Sequence, residues 1–327
     1  MKPVIAVLDE DKRFADRLAR MANKNGRLPF EVIAFSSPEK LGAFSEKSPV
    51  EILLLGEGMK PGDVEAKKQM ILSEKPGPGE IYRFQSGDDI IREVMNTYSA
   101  GKKPEALRPA KGAPLFTVYS PLGLRGETLL GLSLALVLSE RGRTLYVNLE
   151  DFSGLRELSG EETRRDLSDL IYHREQGTLS ETALSAVVHS CRNMDWIPPV
   201  RYPEDLPPGS EKSLAGLMED LAGMPGYRYL VADCGQSRRL SAGVLEQAKR
   251  IYLPVREDPV SEARIREFFA YLKASGREET AGRIRRVHLP EEELLPGSFP
   301  ENLAGRAMRD LAMRLVKEEE NGEKTGF

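Results

Sequence analysis

Short apolar runs recur along this chain, separated by longer stretches in which apolar residues return every three or four positions. Pro3–Leu8 (PVIAVL), Phe30–Phe35 (FEVIAF) and Glu51–Leu55 (EILLL) read as strands. Asp11–Asn25, with Phe14, Leu18 and Met21 at helical spacing, reads as the helix joining the first two. The near-continuous apolarity of EILLL predicts a parallel strand covered on both faces. Met70–Ser73 and Glu80–Phe84 are shorter strand candidates, and Asp88–Tyr98 (DDIIREVMNTY) closes this half as a helix.

Residues 100–113 (AGKKPEALRPAKGA) hold two prolines and basic residues without an apolar period, which predicts a linker. From Pro114 the alternation restarts. Strands are expected at Leu115–Tyr119, Thr144–Leu149, Met194–Pro198, Tyr229–Asp233, Arg250–Val255 and Arg283–Leu289. Helices are expected at Thr128–Arg141, Glu161–Glu175, Leu179–Arg192, Ser213–Gly223, Ser261–Ser275 and Pro300–Lys317. The pattern predicts two three-layer α/β domains, 1–99 and 114–317, each built on a parallel sheet with right-handed crossovers. Residues 318–327 are charged and read as a mobile tail. No internal repeat joins the halves.

Composition narrows the function classes. The 327 residues suffice for about two domains of ~150 residues each, and 40% hydrophobic content supplies their cores. A net charge of −4 gives no basic field that advertises nucleic-acid binding. Cys191 and Cys234 lie far apart in no metal-like spacing, which fits a reduced, cytoplasmic compartment. The opening MKPVIAVLDEDKRF meets an aspartate after a short apolar run and reads as a first strand, not a signal peptide. No apolar stretch reaches the ~18 residues of a membrane span. His173, His189 and His288 are scattered, so they read as surface or packing residues, and no metal site is expected. Cys234 follows Asp233 with no nearby histidine and reads as a packed thiol. Trp196 reads as an anchor of the core or of a loop. In the terminal helix Leu303, Ala307, Leu311 and Leu315 form a stripe expected to pack on the sheet, because the following KEEENGEK lacks the basic face that membrane attachment favours.

The chemistry concentrates at residues 120–128, SPLGLRGET, between a strand and a long apolar helix. A phosphate loop works there by aiming backbone N–H groups and a helix N-terminus at an anion. Glycines permit close approach, a lysine adds charge and a Ser/Thr hydroxyl holds magnesium. Gly123, Gly126 and Thr128 are present; no lysine is. This strand–loop–helix resembles the deviant Walker loop of the MinD/ParA ATPases, KGGxGK[ST]. On that pattern the signature lysine falls on Leu122, the second glycine on Leu124 and the main phosphate lysine on Glu127, with Arg125 at the variable position. In the family the signature lysine reaches across a dimer to the partner's nucleotide, so its loss also puts ATP-gated dimerisation in doubt. Asn148 and Glu150 fall where the family carries two aspartates, and Asp233 in YLVADCG falls on the Walker B aspartate that assists magnesium. The resemblance spans roughly 114–317. One unit-charge contact near 4 Å is worth about 4 kcal/mol at an effective dielectric of 20. Replacing lysine by Glu127 therefore turns attraction into repulsion, a gross swing of several kcal/mol before screening and relaxation. A carboxylate in a first helical turn also suits the helix dipole. Asp233 has the alternative reading of a strand-end cap.

The first domain resembles a response-regulator receiver, of flavodoxin-like fold. Asp9 and Glu10 match its acidic pair, Ser73 its small hydroxyl residue and Arg83, approximately, its lysine. The phosphoacceptor position is Gly56. Glu57 follows, and strand alternation sends it to the other side. The resemblance thus implies a receiver that accepts no phosphoryl group and serves for docking, with Asp9 and Glu10 as solvated strand-end carboxylates or a residual metal pair. Together the two domains, with the phrases YRFQSGDDIIREV, SDLIYH, WIPPVRYPEDL and PVREDPVSEARIREFFAYL, resemble the TadZ/CpaE group of pilus assembly proteins. That resemblance implies a cytoplasmic protein, recruited to a cell pole or inner-membrane assembly site, that positions a tight-adherence (Flp-type) pilus machine. Its partners would be the secretion ATPase, inner-membrane components and a second copy of itself, with at most peripheral membrane contact. The expectation is a pseudo-ATPase scaffold with no catalytic residue and no resident cofactor. The alternatives are a switch that binds Mg-ATP weakly to bias dimerisation, or a ParA-like DNA- or cargo-positioning protein whose basic patch would lie at Arg283–Arg286.

Overall fold

A computed structural model describes residues 2–23, 28, 30–99, 112–124, 126–160, 163, 165–206, 209–235, 242–291, 299–300 and 305–324. Most of the expected linker, 100–111, lies outside the described residues. The chain divides into two compact units, Met1–Glu105 with Gly177–Val188, and Ala106–Gln176 with His189–Phe327.

The first unit runs β1 (Val4–Leu8), α1 (Lys12–Asn23), β2 (Glu31–Phe35), α2 (Pro38–Ser45), β3 (Val50–Gly56), β4 (Ala66–Ser73), β5 (Ile81–Tyr82) and α3 (Gly87–Ser99). The second continues with β6 (Leu115–Tyr119), α4 (Glu127–Ser139), β7 (Thr144–Asn148), α5 (Leu155–Ser159) and α6 (Leu167–Glu175). Next in the chain comes α7 (Glu181–Ser185), which belongs to the first unit. The second unit resumes with β8 (His189–Cys191), β9 (Met194–Ile197), a 3-10 turn (Pro203–Asp205), α8 (Glu211–Gly223), β10 (Tyr229–Gly235) and α9 (Ala242–Gln247). It ends with β11 (Arg250–Val255), α10 (Pro259–Ala274), α11 (Glu278–Gly282), β12 (Ile284–His288) and α12 (Arg306–Lys324).

The fold class is α/β in both units. In the first, five strands in the order β2-β1-β3-β4-β5 are parallel throughout, the flavodoxin-like order. In the second, seven strands follow the order β12-β11-β6-β10-β7-β9-β8, parallel except for the β9–β8 pair. Strand β1, and β3 apart from Glu51, are apolar because both sheet faces there are covered. Helix α4 is apolar all round, and its partners explain it: one side lies on β6, β7 and β10, the other under α12.

Several expectations change on the structure. The expected helix Leu179–Arg192 divides into α7 and the edge strand β8, whose residues pair antiparallel with β9. Ala186, just after α7, is buried in the core of the first unit with Ile90, Val94 and Tyr98. Helix α6 begins at Leu167, where Asp166 and Asp169 form a capping box. Helix α2 escaped the apolar pattern, although Ser37 as N-cap and Pro38 behind it carry its start signal. The terminal stripe is Met308, Leu311, Ala312, Leu315 and Val316; Ala307 is exposed, and Leu303 lies outside the described residues. Helix α12 also continues to Lys324, through the supposed tail. Three consecutive glutamates there are paired: Glu318 with Arg285, Glu319 with Arg250 (2.6 Å) and Glu320 with Arg141 (2.5 Å).

Candidate functional site

In the first unit Asp9 ends β1 fully buried, not solvated as the pattern suggested, while Glu10 is exposed. The Asp9 Oδ2 pairs with Arg83 at 2.9 Å, its Oδ1 accepts from the Asp11 N–H at 2.8 Å, and the Arg83 guanidinium lies over the Phe14 ring at 4.6 Å. Gly56 has no room for a side chain: a Cβ there would stand 2.6 Å from the Asp9 Oδ2. The position where the receiver resemblance expects a phosphoacceptor is thus filled by the neighbouring acid. Glu57 turns towards Ser73, accepting from its hydroxyl at 2.9 Å and from the Glu74 N–H at 3.0 Å. Those donors, the Glu74 N–H first, hold its carboxyl below the usual range.

In the second unit the loop after β6 is built from local hydrogen bonds. Ser120, buried at the strand end, donates to the Pro254 carbonyl at 3.0 Å and accepts from the Leu122 N–H at 3.1 Å. The turn into α4 needs a positive φ, 94° at Gly126, which glycine adopts without strain. Leu122 is buried in an apolar cluster with Leu253, Val255, Ile265 and Phe268, and Leu124 packs against the same cluster. The two leucines therefore anchor the loop to β11 and α10. Arg125 lies outside the described residues.

Glu127 bends back over this loop. Its Oε1 accepts from the Leu124 N–H at 2.6 Å, and the residue is only 3% exposed. Burial first, then the charges of Asp233 and Glu150, push its carboxyl up to about 8. At neutral pH the group is therefore mostly protonated. The full repulsion expected from a charged Glu127 is corrected accordingly: the group counters an anion chiefly by occupying the loop's donor.

Behind the loop lies a buried polar cluster. The Asp233 Oδ2 accepts from the Tyr146 hydroxyl and from the Asn148 Nδ2, each at 2.9 Å. Its Oδ1 is buried without a hydrogen-bond partner. Burial, and then Glu150, raise the Asp233 carboxyl; burial also raises that of Glu150. Thr128 donates to the Glu150 Oε2 at 3.2 Å. A Cβ on Gly235 would run into the Glu150 carboxyl, which lies across that glycine. The structure thus brings together Glu127, Thr128, Asn148, Glu150 and Asp233 beside Gly123 and Gly126. Sequence reading missed Ser120 and Tyr146. Strand alternation carried a signal for Tyr146, which lies two positions before Asn148 on the same face.

The fold implies a nucleoside triphosphate with magnesium in such a loop. Thr128, Glu150 and Asp233 offer the oxygen donors that magnesium takes. The phosphate half does not fit: the Leu124 N–H is taken, and a carboxyl stands where the anion's charge would need a cation.

The other candidates are structural. Cys234 is buried, and burial pushes its thiol far up. His189 stacks near Trp196 at 4.9 Å, and Trp196 meets Phe299 edge-on at 5.0 Å inside the core. Arg283 donates to the Glu246 and Ala248 carbonyls, Arg285 pairs with Glu318, and Arg286 pairs with Glu262 at 2.8 Å. Among the described residues no helix is long and apolar enough to cross a membrane.

Fold and site together define an α/β chain whose second unit carries a strand–loop–helix of phosphate-loop design without a lysine. No protein-family model and no curated protein matches the sequence. Among solved structures the chain is similar to a ParA family ATPase from Chlorobium tepidum TLS, at 19% identity over 63% of this chain and 100% of that one, TM-score 0.49. It is similar to a plasmid partition protein from Borrelia burgdorferi, at 14% identity over 64% and 99%, TM-score 0.46. It is also similar to a chain of the MinC:MinD cell division protein complex of Aquifex aeolicus, at 15% identity over 63% and 96%, TM-score 0.46. These are distant likenesses of fold, and the functional reading rests on the loop itself.

Proposed function

We propose that this chain is a non-hydrolysing pseudo-ATPase, a cytoplasmic scaffold that helps to position or assemble a tight-adherence type pilus machine. One observation carries the first half of that reading: the Glu127 carboxyl takes the Leu124 N–H at 2.6 Å, so one of the loop's backbone donors is already satisfied from within the chain. Leu122 and Leu124, at the positions where the MinD/ParA pattern has lysine and glycine, are committed to packing. In the first unit Gly56 and the Asp9–Arg83 pair leave no phosphoacceptor. Both units have complete sheets while the lysines and the phosphoacceptor aspartate of the resembled patterns are replaced by Leu122, Glu127 and Gly56, which supports a binding platform. The pilus assignment is supported by the pairing of a receiver-like domain with a MinD/ParA-like one and by the local phrases shared with the TadZ/CpaE group. Its partners on this reading are the secretion ATPase, inner-membrane components and a second copy of the chain.

Two experiments test the halves separately. The triple variant Leu122→Lys, Leu124→Gly, Glu127→Lys gains Mg-ATP affinity if the loop alone is at fault; no gain places the defect also in Asn148 and Glu150. Purified chain mixed with the pilus secretion ATPase forms a complex without added nucleotide; strict ATP dependence of that complex overturns the scaffold. The unpartnered Asp233 Oδ1 beside Thr128 favours the alternative of a weak nucleotide switch. The DNA-positioning alternative loses support, because each arginine of its expected patch is engaged within the chain.

A further inference from the structure

Parallel neighbours in a sheet usually need a crossover of about a dozen residues or more, most often a helix that then covers one face. In the first unit β3 reaches β4 through residues 57–65 and β4 reaches β5 through 74–80, and neither link contains a helix. Two consequences follow. The sheet face shared by Gln69, Ile71 and Tyr82, opposite the core residues Met70, Leu72 and Ile81, has no helix from either link above it. Ile71, Tyr82 and Phe84 are accordingly exposed at 40%, 41% and 61%. Moreover β5 is so short that it pairs only with the end of β4, Leu72 with Ile81 and Ser73 with Tyr82. On that side, Ala66–Ile71 has no strand beside it among the described residues. Alternate residues there present N–H and C=O groups outward. Natural proteins normally cover or shorten such an edge.

We infer that the open edge of β4 takes an added strand from a partner protein, an extended segment that alternates acidic and apolar residues. The free length accommodates about six residues, roughly 20 Å at ~3.3 Å per residue. Backbone pairing supplies the affinity in this mode, and side-chain contacts supply the choice of partner. The charge at the edge selects the partner. Lys67 is exposed and shares Glu51, and exposed Lys68 has no ionic partner among the described residues. A two-fold pairing of this edge with a second copy would bring Lys67 and Lys68 of both chains together, which disfavours self-association. An acidic strand meets Lys68 favourably on one face, and its apolar positions meet Ile71 and Tyr82 on the other. This inference rests on strand geometry and holds whether or not the loop of the second unit binds nucleotide.

The test is hydrogen exchange on the full chain, titrated with a ten-residue peptide alternating glutamate and valine, and separately with its lysine–valine counterpart. The acidic peptide slows exchange in residues 66–71, the effect weakens with salt, and Lys68→Glu lowers its affinity roughly tenfold while improving that of the lysine peptide. No slowing at 66–71 with either peptide overturns the inference, as does equal binding of both. Slowing at 66–71 on raising the protein concentration alone assigns the edge to a second copy and overturns the partner named here.

Discussion

Glu127→Gln is the perturbation that reads the loop most sharply. Glutamine keeps the shape and an acceptor for the Leu124 N–H but cannot ionise. An ordinary glutamate titrates at 4.5, whereas the folded chain holds this one up to about 8, chiefly by burial. Between those values the folded state keeps a proton that the unfolded state has lost. The stability so contributed is fully present below pH 4.5 and is lost as pH rises through 8. The interval corresponds to about 5 kcal/mol. The sole tryptophan, Trp196, is buried in the core of the second unit, so its fluorescence follows urea unfolding of that unit. From pH 5 to pH 8.5 the wild type should lose about 4 kcal/mol more than Glu127→Gln, the contributions of Asp233 and Glu150 being common to both. Glu127→Ala, which leaves the Leu124 N–H without its acceptor, should be less stable than Glu127→Gln at every pH by about 1–3 kcal/mol. Parallel pH profiles for wild type and Glu127→Gln would refute the reasoning, because they would mean that Glu127 is ionised in the folded loop.

Other consequences follow from packing. Gly56→Ala places a methyl group 2.6 Å from the Asp9 carboxylate and should cost the first unit about 1–3 kcal/mol in chemical denaturation, with part of the loss recovered when Asp9 is also changed to alanine. A chain ending at Lys317 loses the pairs of Glu318, Glu319 and Glu320 with three arginines; the melting temperature of the second unit should fall by roughly 3–8 °C, whereas a mobile tail would leave it unchanged. Incubation with a small phosphodonor should leave the mass of the first unit unchanged.

Much of the fold was legible in the sequence because buried parallel strands must be apolar on both faces. Runs such as VEILLLG, LFTVY and YLVADCG declare themselves, and the ends of the last two locate the loop and Asp233. Short elements decided by their neighbours did not show. The three residues of β8 carry no period, and only pairing with β9 makes them a strand. The glutamates of α12 read as a solvated tail because their arginines lie in the turn after α4 and on β11 and β12, far away in sequence. At the loop the missing lysines could be read directly. The partner of Glu127 could not: a carboxyl that reaches back three residues to a backbone N–H depends on Gly126 setting the turn and on Leu122 and Leu124 anchoring it to β11 and α10. Its protonation followed from burial, which composition does not reveal. Asp9 shows the same limit, reading as a solvated strand-end acid until the placement of Arg83 and Phe14 encloses it.

The central claim is that the loop's donor is satisfied by the chain's own carboxyl. Calorimetric titration of the full chain with Mg-ATP tests this most directly. The account predicts no saturable heat at millimolar nucleotide, in the wild type and in Thr128→Ala alike. Micromolar, magnesium-dependent binding by the wild type, abolished by Thr128→Ala or Asp233→Ala, would contradict it.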